Sequence, residues 1–201
     1  TALELIPRIL WNNPKIKAYS KKRGKHASKL LLDSSKFYFL MKEIEDFNKR
    51  GRPDIIHFCL LYALGSELNK KNKLRVYVHT SNDYVIKINS DVRLPRNYSR
   101  FTGLIEQLFE KGEIKDSDNT TLLDLTKMSL TDLMNDINCD KKILLKEGHK
   151  KISEVEIKKM ISENLNLCFI VGAFPHGNFI TETINLAENK FSISDYLLDT
   201  W

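Results

Sequence analysis

No run of about 18 uncharged apolar residues occurs in this 201-residue chain, which excludes a membrane-spanning helix of ordinary composition. No secretory leader is expected at its start. Cysteine is scarce. Cys59, Cys139 and Cys168 are odd in number, widely spaced and set in apolar patterns, which excludes a disulfide framework and predicts reduced core residues. Neither Gly-x-Gly-x-x-Gly nor a Walker A run is present, so a Rossmann or P-loop nucleotide site is not expected. What is present is an ordinary globular composition, 42% hydrophobic and 29% charged, long enough for a core of one compact α/β unit. The net charge of +6 favours a polyanionic partner without specifying one.

The stretch Arg93-Leu94-Pro95-Arg96-Asn97-Tyr98-Ser99-Arg100-Phe101 packs three arginines and an aromatic pair into nine residues. Proline suits the first turn of a helix, so Pro95 is a natural start. Phe101, Leu104, Ile105, Leu108 and Phe109 then recur with the spacing of one buried helical face, and Gly112 is a natural stop. On that helix Arg93, Arg96 and Arg100 fall along one flank, near an N-terminus where the macrodipole favours anions. Such a cluster suits a bound phosphate, and a solvated basic face is the alternative.

Taken in order, Thr1 to Pro7 reads as an amphipathic turn of helix. Lys15 to His26 is dense in lysine and lacks periodicity, which predicts a mobile basic loop that is either solvated or touches phosphates. Asp33 or Ser34 caps a helix expected to run to about Arg50, with Phe37, Leu40, Met41 and Ile44 on one face. Gly51-Arg52-Pro53-Asp54 breaks it and starts another, carrying Ile55, Ile56, Cys59 and Leu60 to Gly65. Arg52 and Asp54 flank that proline and can bend back into an ion pair. The pair is either a simple cap or a carboxylate aiming a guanidinium at a ligand. Leu74–His79 and Tyr84–Ile88 form a hairpin signal around Thr80-Ser81-Asn82-Asp83. After Gly112, a second amphipathic helix is expected through Leu122, Leu125, Leu130, Leu133, Met134 and Ile137.

The last third reads β-α-β-loop-β: Ile143 to Leu145, a helix from about Ser153 to Glu163, Leu167 to Val171, then Phe191 to Ser194. Short apolar strands alternating with a helix predict parallel pairing, with ligands beyond the carboxyl ends of the strands. Gly172 and Gly177 follow the Leu167–Val171 strand, where glycine permits close backbone approach to a ligand or serves packing alone.

Three stretches taken together are specific. Gly51-Arg52-Pro53-Asp54-Ile55-Ile56-His57, the arginine stretch above, and Val171-Gly172-Ala173-Phe174-Pro175-His176-Gly177 with the later Ser192-Ile193-Ser194-Asp195-Tyr196-Leu197 resemble the SPOUT-class methyltransferases of the nucleolar-essential-protein family. These have an α/β trefoil knot and methylate N1 of a pseudouridine in small-subunit ribosomal RNA during ribosome biogenesis. The resemblance runs from Thr1 to Trp201, and Ala2 to Pro7 looks most like the archaeal branch. It implies a parallel sheet with helices on both faces, extended by a hairpin and RNA-binding helix at about residues 70–111, and a knot region at about residues 140–201. It also implies a cytoplasmic homodimer (nucleolar in a eukaryote) that binds S-adenosylmethionine and an rRNA stem-loop, and that needs neither metal nor membrane.

The implied cofactor site comprises Leu145, Gly172, Gly177, Ile193, Ser194, Asp195, Tyr196, Leu197 and Leu198. The implied RNA contacts are Arg52, steadied by Asp54, together with Arg93, Arg96 and Arg100. No general base is assigned, because Asp54 is committed to Arg52, and His79 and His176 are lone histidines. Relatives have a strand before the Ala2–Pro7 segment and a closing helix after the Ser192–Ser194 stretch, so the final knot helix is expected to be missing here. Leu197 stands where many relatives have proline, and Asp199 where they have a small residue, implying a differently shaped last loop. The competing reading is an rRNA-binding assembly factor in which methylation is secondary or lost.

Overall fold

The computed structural model describes residues 1–163, 165–196, 198 and 200. Leu197 and Asp199 lie outside the described residues. The chain forms two compact units, Thr1–Met128 with Phe174–Gly177, and Ser129–Ala173 with Asn178–Thr200.

The first unit opens on an extended segment. Ile6 N–H donates to Leu30 C=O at 2.8 Å and Leu32 N–H to Glu4 C=O at 2.9 Å, so residues 4–6 lie antiparallel to 30–32. Leu3 and Ile6 are thereby buried, and the turn of helix expected at Thr1 to Pro7 gives way to this pairing. The expected basic loop is also corrected: Pro14–Arg23 is a helix, α1. Its caps order it. Asn13 accepts the Lys15 N–H, Pro14 occupies the first turn, and Gly24 closes it with φ +64°. Only Ile16 of α1 is buried, which is why no apolar period marks it.

Helix α2 spans Ser34–Met41, capped by Asp33 as expected. It stops short of Arg50, and a 3-10 turn at Phe47–Lys49 follows. Phe37, Met41 and Ile44 join Ile6, Leu10 and Leu32 in a core cluster. Helix α3, Pro53–Gly65, and the short α4, Glu67–Lys70, lead to the hairpin of β1, Val76–His79, and β2, Tyr84–Ile88.

Helix α5 spans Tyr98–Lys111 and buries Phe101, Ile105 and Leu108. It begins three residues later than Pro95 suggests. Asn97 caps it by accepting the Arg100 N–H, whereas Leu94 is buried and the Pro95 C=O is engaged by the His57 ring at 2.7 Å. Arg93 and Arg96 therefore sit on the loop before α5, and Arg100 alone of the three lies on the helix. Two strands follow, β3 at Glu113–Lys115 and β4 at Thr121–Lys127, in a sheet of order β1-β2-β4-β3. The helix expected through Leu122 and Leu125 is thus a strand over its first half. Leu123 pairs with Ile88 and Leu125 with Ile86, a gain that only the sheet partner supplies.

The second unit contains α6 at Leu130–Asp136, β5 at Lys141–Leu145, α7 at Glu154–Ser162, β6 at Leu167–Val171, α8 at Thr181–Leu186 and β7 at Asn189–Phe191. Ser153 and Glu156 form a reciprocal capping box on α7. The sheet is parallel, in order β6-β5-β7, and Leu145 stands opposite both Val171 and Phe191. All three strands therefore end at one edge. The last strand lies slightly earlier than Phe191 to Ser194, and Ser192 continues it only as a single parallel bridge to Lys151. Cys59, Cys139 and Cys168 are in no disulfide among the described residues and are only partly buried, which corrects the core placement. Among the described residues no helix is long and apolar enough to cross a membrane.

Candidate nucleic-acid interface and cofactor edge

The first site lies in the first unit, where α3 and α5 begin. Gly51 has φ +64°, and a Cβ there would come within 2.8 Å of Met41 Cε, so only glycine turns the chain at this point without displacing the core. Arg52 and Asp54 then flank Pro53 at the start of α3. Arg52 Nε donates to Asp54 Oδ1 at 2.8 Å and Nη2 to Oδ2 at 2.7 Å, the two-pronged geometry that fixes a guanidinium plane. Both side chains remain about one-third exposed, and the hydrogen bond that Arg52 donates to Asp54 raises the Arg52 pKa, keeping it cationic.

Arg52 and Asp54 line an open pocket of about 390 Å³ with Asp33, Ser35, Tyr38 and Tyr98. Asp33 is buried, yet its carboxylate accepts from the Ser35 N–H and hydroxyl, Lys36 Nζ and the Tyr98 hydroxyl, the last at 3.0 Å. Burial opposes its charge, but these donors, led by Lys36, win and hold the carboxyl below its ordinary range. Burial, and then the Asp33 charge, push the Tyr98 phenol far up, so it stays a neutral donor. Sequence reasoning placed Asp33 only as a cap. Its partner Tyr98 is 65 residues away, and no local signal marks that pairing.

Arg93, Arg96 and Arg100 are exposed on the loop and first turn leading away from Tyr98. Val92 and Leu94 are buried on either side of Arg93, and the His57 ring both binds Pro95 and stacks on Phe101 with centroids 4.3 Å apart. The apolar residues anchor the backbone and leave the guanidinia in solvent. Among the described residues none of these three has a carboxylate within ion-pair distance, in contrast to Arg23, paired with Glu106 at 2.7 Å, and Arg50, paired with Glu4 at 2.6 Å. Cations fixed in place and unneutralised are what a phosphodiester backbone requires.

The second site is the carboxyl edge of the parallel sheet in the second unit. Leu145 ends β5, Gly172 follows β6, and Ile193, Ser194, Asp195 and Tyr196 follow β7. The loops are tied by backbone: Lys146 N–H donates to Phe191 C=O at 2.8 Å, and Ser192 N–H to Lys150 C=O at 3.0 Å. The Thr200 hydroxyl donates to Gly172 C=O at 2.7 Å, and the Ser194 hydroxyl accepts the Tyr196 N–H at 3.0 Å. Asp195 pairs with Lys151 at 2.9 Å, while Ile193, Tyr196 and Leu198 expose apolar surface. Loop backbone beside exposed apolar side chains suits a flat heterocycle attached to a polar tail. Gly177 falls instead in segment Phe174–Gly177, which belongs with the first unit. It has φ +91°, and a Cβ there would come within 2.6 Å of Lys49 Cε. Among the described residues no group of three or more acidic, histidine or cysteine side chains is arranged to hold a metal.

The family model described as EMG1/NEP1 methyltransferase matches residues 1–201. The curated ribosomal RNA small subunit methyltransferase Nep1 of Staphylothermus marinus is 42% identical over 201 residues, covering 100% of this chain and 87% of that protein. The protein of the same name from Pyrococcus furiosus is 44% identical over 177 residues, 88% of this chain and 78% of the relative. The crystal structure of Archaeoglobus fulgidus Nep1 bound to S-adenosylhomocysteine superposes with a TM-score of 0.86 at 36% identity, covering 100% of this chain and 88% of that one. The paired Arg52–Asp54, the arginine loop and the parallel sheet edge therefore belong to a member of the EMG1/NEP1 methyltransferase family.

Proposed function

We propose that this protein transfers a methyl group from S-adenosylmethionine to N1 of a pseudouridine in small-subunit ribosomal RNA, acting as a homodimer in the cytoplasm. The observation that carries the reading is the pocket at Arg52. A guanidinium fixed by two hydrogen bonds, two tyrosines and a buried carboxylate surround a space of about 390 Å³, in a chain matched over its whole length by an rRNA methyltransferase. A base turned out of an RNA loop needs an aromatic wall and a few fixed donors. Tyr38 and Tyr98 supply the wall, and Arg52 the donors.

Arg93, Arg96 and Arg100 bind the phosphates on either side, and Asp54 keeps Arg52 aimed. The edge formed by Leu145, Gly172, Ile193 to Tyr196 and Leu198 holds the donor. The Archaeoglobus fulgidus relative was solved with S-adenosylhomocysteine, the demethylated product of that donor. When bound, the donor supplies an electrophilic methyl on a sulfonium. Pseudouridine is joined to its ribose through carbon, which leaves N1 as an N–H. Loss of that proton lets the N1 lone pair form the new N–C bond as the S–C bond breaks. The contribution of the protein is positioning: it fixes the RNA strand by phosphates, holds the base out of the stack and excludes other orientations.

The test is methyl transfer from labelled S-adenosylmethionine to two stem-loops that differ only in carrying pseudouridine or uridine. Transfer to the pseudouridine RNA alone is expected. Tight binding of both RNAs with no transfer to either replaces this reading with that of an rRNA-binding assembly factor.

A further inference from the structure

The basic segment around α1 does not line the pocket at Arg52, and apart from Lys15, Lys21 and Lys22, which among the described residues neither pair with α5 nor line either pocket, its charges fall into two sets. Arg23 and Lys25 reach Glu106 at 2.7 and 3.6 Å, and Lys29 reaches Glu110 at 2.7 Å, so these cations fasten the segment to α5. Arg8, Lys17 and His26 instead line a separate open pocket of about 540 Å³ with Trp11, Asn12 and Ser20. No carboxylate lines it. Among the described residues Arg8 and Lys17 form no ion pair, unlike Arg23, Lys25 and Lys29.

Two further polar groups in this pocket can donate, those of His26 and Ser20. His26 Nδ1 accepts the Ser28 N–H at 3.2 Å, which puts the proton of the neutral ring on Nε2 as a donor. The Ser20 hydroxyl is buried with no hydrogen-bond partner, although a helical serine readily bonds the preceding turn. Trp11 spends its indole N–H on the Ile6 C=O at 2.8 Å and meets His26 edge-on with ring centroids 5.1 Å apart. It is a fixed aromatic wall with no polar atom to spare. A merely solvated lysine face needs neither the concavity nor an orphaned hydroxyl. Two unneutralised cations, an imidazole N–H, a hydroxyl and an aromatic wall are complementary to a phosphodiester and its adjoining nucleoside.

We propose that this pocket is a second contact for the rRNA substrate, taking a phosphodiester and its nucleoside from the strand outside the target loop. The proposal rests on the reading of Arg52 as an rRNA contact.

The test uses the full chain and fluorescence anisotropy with two labelled RNAs, a minimal hairpin containing the target loop and the same hairpin with a single-stranded flank. The double substitution R8A/K17A is expected to weaken the flanked RNA about tenfold at low salt and to flatten its salt slope by about 1.4, the value for two lost single-strand phosphate contacts. Affinity for the minimal hairpin should not change. K21A/K22A removes the same charge from α1 outside the pocket and is expected to change affinity less than about twofold, and R8K/K17R to retain it. Equal losses from R8A/K17A and K21A/K22A would overturn the proposal in favour of a general charge effect. So would an unchanged flanked affinity in R8A/K17A while Arg52→Ala weakens both RNAs. If Arg52→Ala weakens neither RNA, the underlying rRNA reading fails and this proposal fails with it.

Discussion

In the first unit each buried carboxylate has a cationic partner: Glu4 with Arg50, Asp33 with Lys36, and Glu106 with Arg23. In the second unit no carboxylate is buried among the described residues, and the polar contacts at its sheet edge run chiefly through backbone carbonyls and amides. The contrast separates two ways of building a site. The first unit fixes charged side chains in a pattern, which suits a polyanion whose charges repeat. The second offers the ends of parallel strands, which suits a small ligand lying against loop backbone. Damage to one should therefore spare the other.

The largest expected effect is at the sheet edge. Gly172→Arg places a long cation where β6 gives way to the loop closed by Thr200, and methyl transfer is expected to fall to background in a labelled-donor assay. Hairpin affinity should stay within about twofold, because no phosphate contact is lost. The next effect concerns stability. Glu106→Ala removes a carboxylate that accepts from Arg23 and the Leu31 N–H and is ion-paired with Lys25, and should cost about 3 kcal/mol in denaturant unfolding. That is the low end for a buried pair, because the side chains of Arg23 and Lys25 are 29% and 33% exposed and can rehydrate.

A smaller loss is expected at the arginine loop. Arg96→Ala should weaken hairpin binding by about 1–3 kcal/mol and flatten the salt slope by about 0.7, with S-adenosylmethionine affinity by calorimetry unchanged. The smallest effect is at Tyr98. Replacing it with phenylalanine removes one hydrogen bond to Asp33, about 1 kcal/mol at neutral pH. The sign with pH is definite. Burial and then Asp33 raise the Tyr98 pKa above its ordinary 10.0, so its contribution is complete below pH 10.0 and disappears as pH rises through the folded value. The phenylalanine variant should lack that alkaline loss. Asp33 behaves oppositely: its lowered pKa gives stability above its ordinary 3.8 that is lost as acid brings pH through the folded value.

The two sites also differ in how far the sequence discloses them. Arg52 and Asp54 are two residues apart around a proline, so their pairing follows from local geometry alone. The ends of β5 and β6 are visible as short apolar runs followed by a charged turn and a glycine. Asp33 and Tyr98 are legible only once α2 and α5 are placed, since nothing local links residues 65 positions apart. The helix at α1 is hidden because caps and ion pairs order it, with one buried residue and no apolar period. β4 misleads in the opposite way. Its leucines fit a helical spacing, and only pairing with β2 and β3 selects the strand.

The most direct test of the division between the units is a crossed measurement on two variants, Gly172→Arg and Arg96→Ala, each titrated separately with S-adenosylmethionine and with the pseudouridine hairpin. Loss of donor binding alone in the first variant and of RNA affinity alone in the second is the predicted result. Loss of both ligands in either correctly folded variant would contradict it, because a single site would then be carrying both tasks.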